Sequence, residues 1–270
     1  MRRSLILVGV VLLASTGCDG DEEPDPGSDA GDEAPVDAGM TSRPPPGPSA
    51  DGWESDWVEG SAGASCDADE ADLADLAHLT FGDSTIYVGF RQASGNNQNP
   101  IVARFDGGTR IWCVEHETQG PDGRAEAITW DGGDHAYVVY SVVGGGTDLE
   151  GHGGWLSSYA PGAISGGGPK VSVVGRVSVE DGSLDAATFI VSVLSSGRVN
   201  THAPAGAVTV LEDGSVEFAG DSAHKPIDAD GRSSMDCTDY PFSSRYRFSA
   251  DLSELVCADC TNCTSQRPCE

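Results

Sequence analysis

The hydrophobic pattern is clearest over residues 85–114, TIYVGFRQASGNNQNPIVARFDGGTRIWCV. Apolar and polar side chains alternate along much of it, with the period of two that sends successive residues to opposite faces of a strand. Ile86, Tyr87, Val88 and Phe90 are β-branched or aromatic, so residues 85–91 predict a strand. A preceding strand is expected over 76–81, turned by Gly82-Asp83-Ser84. A polar loop over 93–99 leads to a third strand, 101–105. Asp106-Gly107-Gly108 is a turn of hairpin type, and residues 110–114 form the fourth strand. Four consecutive antiparallel strands make a meander.

The same order recurs downstream. Residues 125–130, a turn at Asp131-Gly132-Gly133-Asp134, then 136–143, 155–159 and 171–177 predict a second meander, interrupted by a glycine-rich loop over 144–154. A blurred third copy covers 187–194, 207–211 and 216–218, and a reduced fourth covers 246–248 and 254–257. The expected fold is all-β, built from antiparallel four-stranded meander repeats. A repeat of roughly 40–50 residues lies in the range of propeller blades, and a β-sandwich is the alternative.

Ile86-Tyr87-Val88-Gly89, followed by Ile101-Val102-Ala103-Arg104-Phe105-Asp106 and then Ile111-Trp112, resembles bacterial β-propeller repeats of the seven-bladed or SBBP-like kind. The resemblance covers residues 85–112 well and 136–159 fairly. It implies a propeller-like scaffold over 64–257 and supplies no catalytic residue.

Ahead of the strands the pattern disappears. Arg2 and Arg3 precede an apolar run over 5–14, and Ser15-Thr16-Gly17-Cys18 follows. A short basic region, a short apolar region and small residues describe a secretory signal over 1–17. The run is too short to span a bilayer core, which needs roughly 20 residues. The tetrapeptide resembles a bacterial lipobox, with Ser15 in place of the usual Leu. That resemblance implies lipidation at Cys18 and attachment to the inner or outer membrane of the cell envelope. Residues 18–63 are acidic and rich in Pro and Gly. The part from 19 to 59 holds thirteen acidic residues against Arg43 alone. Such a stretch buries too little apolar surface to offset its ordering entropy, so a disordered linker is expected. Trp53 and Trp57 mark where the chain begins to pack on the domain.

Composition narrows the partners. A net charge of −28 over 270 residues argues against nucleic acid. Seven cysteines follow Cys18: Cys66, Cys113, Cys237, Cys257, Cys260, Cys263 and Cys269. In an exported chain these read as disulfide candidates, and an odd number leaves one over. The run over 257–269, with its CxxCxxC spacing, could hold zinc or an iron–sulfur cluster in a reducing compartment. Behind an export signal it predicts a disulfide knot in a Cys-rich tail, 258–270. Cys113 and Cys257 each end a last strand, eight and nine residues after Phe105 and Phe248. The pairs expected from that position are Cys66–Cys113 and Cys237–Cys257.

Catalytic motifs are sparse. His78, His116, His135, His152, His202 and His224 form no HExxH or HxH pattern. The acid–histidine clusters are Glu115-His116-Glu117 and Glu150-Gly151-His152. The glycine triplets at 144–146 and 166–168 carry no phosphate-loop lysine. Asp67-Ala68-Asp69-Glu70 fails the EF-hand spacing and predicts a solvated strand start or a short helical turn. Calcium is the one cofactor left open, at Asp228 and Asp230 or at Asp131 and Asp134, where carboxylates sit on tight turns. The expected function is a lipid-anchored, non-enzymatic binding or structural module of the cell envelope, with an envelope protein or glycan as the candidate partner. The alternative is an exported hydrolase or lyase on a propeller scaffold.

Overall fold

Strand-forming residues build three four-stranded meanders in a computed structural model that describes residues 56–57, 62–117, 122–143, 147–159 and 169–270. The signal segment, Cys18 and the linker as far as residue 55 lie outside the described residues. β1 is Asp56–Trp57, and a 3-10 turn spans Glu70–Leu73. That turn is the helical option expected for the acidic segment. Sheet 1 comprises β2 (Ala77–Phe81), β3 (Ser84–Ser94), β4 (Asn97–Asp106) and β5 (Thr109–Glu115), in chain order. Sheet 2 comprises β6 (Gly123–Trp130), β7 (His135–Val143), β8 (Lys170–Ser178) and β9 (Leu184–Ile190), with β1 added beside β6. β10 (Ser192–Val193) and β11 (Val199–Asn200) form a small hairpin. Sheet 3 comprises β12 (His202–Val210), β13 (Val216–Ser222), β15 (Phe242–Phe248) and β16 (Leu255–Cys260). β14 (Asp236–Cys237) pairs separately with β17 (Cys263–Thr264).

The all-β expectation holds, with every ladder between named strands antiparallel. The repeat count differs. Three sheets stand where four copies were expected, because the third and fourth copies combine. Val216–Ser222 pairs with Phe242–Phe248, and that strand pairs with Leu255–Cys260. Residues 155–159 are not a strand. Trp155 donates its backbone N–H to Leu252 O at 2.7 Å, and Leu156 O accepts from Phe189 N at 2.9 Å. Their side chains pack instead: Trp155 lies against Tyr246 and Phe248, and Tyr159 against Phe189. The third strand of sheet 2 is therefore β8 and its fourth is β9, which the sequence pattern assigned to the next copy. Among the described residues the sheets do not close into a ring.

Two boundaries also move. The linker was expected to stay disordered to residue 63, yet Asp56 and Trp57 pair with Ile128 and Ala127, and residues 62–64 hydrogen-bond on either side of Phe90. The Cys-rich tail was expected to begin at 258. β16 runs through that point, Ala258 is fully buried, and Ala258 N donates to Arg267 O at 2.8 Å. The tail is folded back onto sheet 3.

Burial explains the packing order. Every residue of β7 from Ala136 to Val142 is buried, as a strand covered on both faces requires. Sheet 1 packs through β2, β3 and β4 onto β6, and β12 packs onto β6, β7 and β8. Ile86, Val88 and Val102 join the main core, with Phe81 stacked on Trp130 at 4.9 Å. The other face of sheet 1 carries a second core of Tyr87, Ile101, Ala103 and Phe105, closed by Leu73 and Leu76 from the strap over 62–76. Arg104, 7% exposed, ties sheet 1 to sheet 2 by donating to Val179 O at 2.8 Å.

Three of the hairpin turns share one device. Asp181, Asp213 and Asp251 each accept the backbone N–H and the hydroxyl of the serine two residues on. The middle residue needs a left-handed backbone, supplied by Gly182 and Gly214 at φ 76° and 81°. At the third turn Leu252 adopts φ 60°. Its side chain is fully buried, which offsets a conformational cost of roughly 1–2 kcal/mol.

Sheets 2 and 3 also meet at a buried histidine. His202 has no exposed surface, and its ring lies between Ser172 Oγ, 3.1 Å from Nδ1, and Ser244 Oγ, 2.8 Å from Nε2. Whichever ring nitrogen carries the proton, one serine accepts from it and the other donates to the bare nitrogen. Burial depresses the imidazole pKa to about 3. The unfolded chain, with its ordinary value near 6.5, takes up the proton first. This contribution to stability is complete above about pH 6.5 and is lost as pH falls toward 3, at a slope of up to about 1.4 kcal/mol per pH unit. His202→Met should destabilise the protein at pH 7 by about 1 kcal/mol, since it removes the ring's hydrogen bonds to both serines and leaves them only their contacts with the backbone oxygens of His202 and Gly220. Urea unfolding should show the gap to wild type narrowing between pH 7 and 5. A constant gap would mean that the ring does not stay neutral in the fold.

Candidate functional site: a cluster of three cysteines

The histidines separate into unlike surroundings. His116 is 6% exposed, with Nδ1 3.4 Å from Asp148 Oδ1 and Nε2 3.4 Å from Tyr140 OH. This acid–histidine–hydroxyl order imitates a catalytic relay, but Tyr140 is fully buried and burial drives its pKa far upward. A hydroxyl with no exposed surface and no readily lost proton does not serve as a nucleophile. His152 sets Nδ1 3.0 Å from Leu184 O and Nε2 2.9 Å from Asp148 O, which pins the loop over 147–159 to sheet 2. His135 lies 3.1 Å from Asp185 and 3.4 Å from Asp131, and Arg176 donates to it at 2.9 Å. Thus His116 and His152 bracket Asp148, while His135 has partners of its own. Of the neighbouring acids, Glu115 is held by Arg91 and Asn99 at the end of sheet 1.

The calcium candidates are turn caps. Asp228, 3% exposed, accepts from Ser265 Oγ at 3.0 Å and from the backbone of Ala229 and Gln266. Asp230 accepts from Arg232 N, Ser233 N and Ser233 Oγ, each at 2.8 Å. Asp131 spends Oδ1 on Gly133 N and His135 N. Chain donors therefore occupy these carboxylates, and neither Asp228 nor Asp230 converges with two further acids among the described residues.

A groove of about 370 Å³ crosses the outer side of sheet 3, between Arg245, Arg247, Glu217, Val256 and Pro268. Its cations are already paired: Arg245 with Asp259 at 2.9 Å, and Arg247 with Asp213 at 2.5 Å. The groove offers an ionic surface rather than an unmet charge.

The cysteines carry the most chemistry. Three disulfides join Cys66 to Cys113, Cys237 to Cys263 and Cys257 to Cys269, and Cys260 is a free thiol. The first is the pair expected from sequence, and it pins the strap over 62–76 to the outer face of sheet 1. Cys237–Cys257 does not form. β14 pairs with β17, which sets Cys237 directly opposite Cys263. Cys257 lies on β16, where the returning tail brings Cys269 to a Cα–Cα distance of 5.0 Å. Two strands of two residues each decide that pairing, and neither has a visible hydrophobic pattern.

The sulfur atoms of Cys237, Cys260 and Cys263 all lie within 4.8 Å of one another, and Cys260 Sγ is 2.9 Å from Cys263 Sγ. Among the described residues this is the one trio of His, Cys, Asp or Glu close enough to share an ion. Three thiolates would suit a soft metal, but in this state two of the sulfurs are bonded to each other. Burial raises the Cys260 thiol to about 11, so it is protonated at neutral pH.

The Cys66–Cys113 bond closes the longest loop of the three. Closing a 47-residue separation between Cys66 and Cys113 contributes about 4 kcal/mol in the loop-entropy model. Replacing both cysteines by serine should cost that amount in urea unfolding and make the strap susceptible to protease. A wild-type midpoint would show that the second core holds the strap unaided. Compared with family models, with curated proteins and with solved structures, the chain finds no match in any of the three.

Proposed function

We propose that this protein is an exported lipoprotein of the bacterial envelope that presents disulfide-braced β-meanders, read as propeller-like blades, to an envelope protein or glycan. The observation that carries the reading is the set of three disulfides, which fits an oxidising compartment outside the cytoplasm. The lipobox-like Cys18 and the acidic linker supply the attachment and the spacing. No helix among the described residues is long and apolar enough to cross a membrane.

The contact surface in this reading is the β3–β4 hairpin. β3 pairs with β2 only over 84–88, but with β4 as far as Ser94, so its tip extends past its neighbour. Residues 93–99, expected as a loop, are instead the strand ends and turn of this hairpin. The tip is rich in amides: Gln98 donates to Gln92 at 2.9 Å, and Arg124 from β6 donates to Gln98 at 2.6 Å. A braced tip of donors and acceptors suits a hydroxyl-rich or peptide partner.

Mass spectrometry of the full-length chain expressed in a bacterial host tests the attachment. The expected product lacks residues 1–17 and carries acyl mass on Cys18. Wild type should enter the detergent phase on phase separation, and Cys18→Ser should move to the aqueous phase. An unacylated wild-type chain in the aqueous phase overturns the proposal.

A further inference from the structure

Cys263 stands between two sulfur partners. Across the β14–β17 ladder it is in register with Cys237, to which it is bonded. Across the turn at Thr261 and Asn262 it faces Cys260, the last residue of β16. Asn262 makes that reversal tight by adopting φ 61°, a region that asparagine tolerates better than most residues. Ends of such a four-residue turn lie within about 7 Å at Cα. Here the two sulfurs approach to 2.9 Å, between a covalent bond and an ordinary contact.

We propose that Cys237, Cys260 and Cys263 form an exchange triad, in which Cys263 swaps its disulfide between Cys237 and Cys260. The step is an internal substitution. Cys260 gives up its proton to solvent, and the thiolate attacks Cys263 Sγ. The Cys260–Cys263 bond forms and the Cys237–Cys263 bond breaks. The electron pair leaves on Cys237 Sγ, which takes up a proton. One disulfide and one thiol stand on each side, so no oxidant or reductant is consumed.

The two isomers differ in what they hold together. In the present one a covalent bond ties β14, and with it the segment over 223–241, to the C-terminal hairpin. In the other that tie is gone. What joins the segment to the C-terminal residues is then non-covalent: the two-residue ladder, the donation of Thr238 N to Asn262 O at 2.9 Å, and the donations of Ser265 Oγ and Gln266 N to Asp228, each at 3.0 Å. The free thiol moves from the half-buried Cys260 to Cys237, which is 7% exposed.

Burial sets the rate. With the Cys260 thiol near 11, about one molecule in 10⁴ holds the thiolate at pH 7. Each further pH unit raises that fraction about tenfold until the pKa is approached. The titratable group facing Cys260 is Tyr246 on β15, itself raised by burial and by the nearness of Cys260 and Asp228. Tyr246 stays neutral over this range, with its hydroxyl donating to Ile227 O at 2.7 Å.

The full chain, purified without reductant, supplies the test. After incubation at pH 7, 8 and 9 it is quenched, alkylated with N-ethylmaleimide and mapped by non-reducing peptide analysis, with fragment ions separating Cys260 from Cys263. The expected result is label on both Cys237 and Cys260, summing to one per chain over the three cysteines. The approach to that mixture should quicken about tenfold per pH unit. Cys237→Ser in an oxidised-glutathione buffer should form the Cys260–Cys263 bond and leave no alkylatable thiol among the three. Label confined to Cys260 at every pH overturns the proposal, as does a folded Cys237→Ser chain that keeps two reactive thiols in that buffer. If Cys237→Ser fails to fold, the wild-type labelling decides alone. The outcome does not depend on whether Cys18 carries lipid.

Discussion

The structure depends on covering sheet 2. A strand such as β7, with seven successive residues from Ala136 to Val142 out of water, has no solvent face to orient it. Both sides must be supplied by other parts of the chain. Sheet 1 and sheet 3 meet this need through β6 and β12, and the loop over 147–159 contributes Trp155, Leu156 and Tyr159 where β-strands do not reach. Two of the polar groups drawn inside by this arrangement are paired across sheet boundaries. Arg104 reaches Val179 O, and His202 joins Ser172 to Ser244. Each is a place where the meanders are held in register with one another.

Acidic composition is put to use at the corners. The aspartates at 181, 213 and 251 lie below the usual carboxylate range because serine hydroxyls and backbone N–H groups donate to them. Three turns thus repeat the same chemistry although the strands they join share little sequence. This short repeat is a firmer internal regularity than the spacing of the strands, and it falls in sheets 2 and 3 rather than in the stretch with the clearest hydrophobic alternation.

What the sequence reveals follows from where local information is sufficient. Sheet 1 is legible strand by strand, because its strands alternate and its turns carry glycine, although the polar ends of β3 and β4 over 93–99 read as a loop. β7 and β8 are legible as apolar runs. The 155–159 segment misleads because Trp, Leu and Tyr can plug a gap between sheets as readily as they form a strand, and period alone does not separate the two. The merging of the third and fourth copies depends on pairing between β13 and β15, across a 19-residue connection that no local pattern announces. Cys66–Cys113 follows from proximity to one meander, whereas the partner of Cys237 is set by β14 and β17, each two residues long. His202 carries no sequence signal at all. Its role arises only when two sheets remote in sequence close over it.

The strap over 62–76 has a mechanical meaning. β1 joins sheet 2 through two residues, and a pull on the chain from its N-terminal side would unzip that short ladder first. The next firm attachment is the sulfur bridge at Cys66, which hands the load to Cys113 on β5. The second core behind it, and the other three strands of sheet 1, are bypassed by the tension. The head is thereby protected against stretching by a covalent stop placed just inside its border.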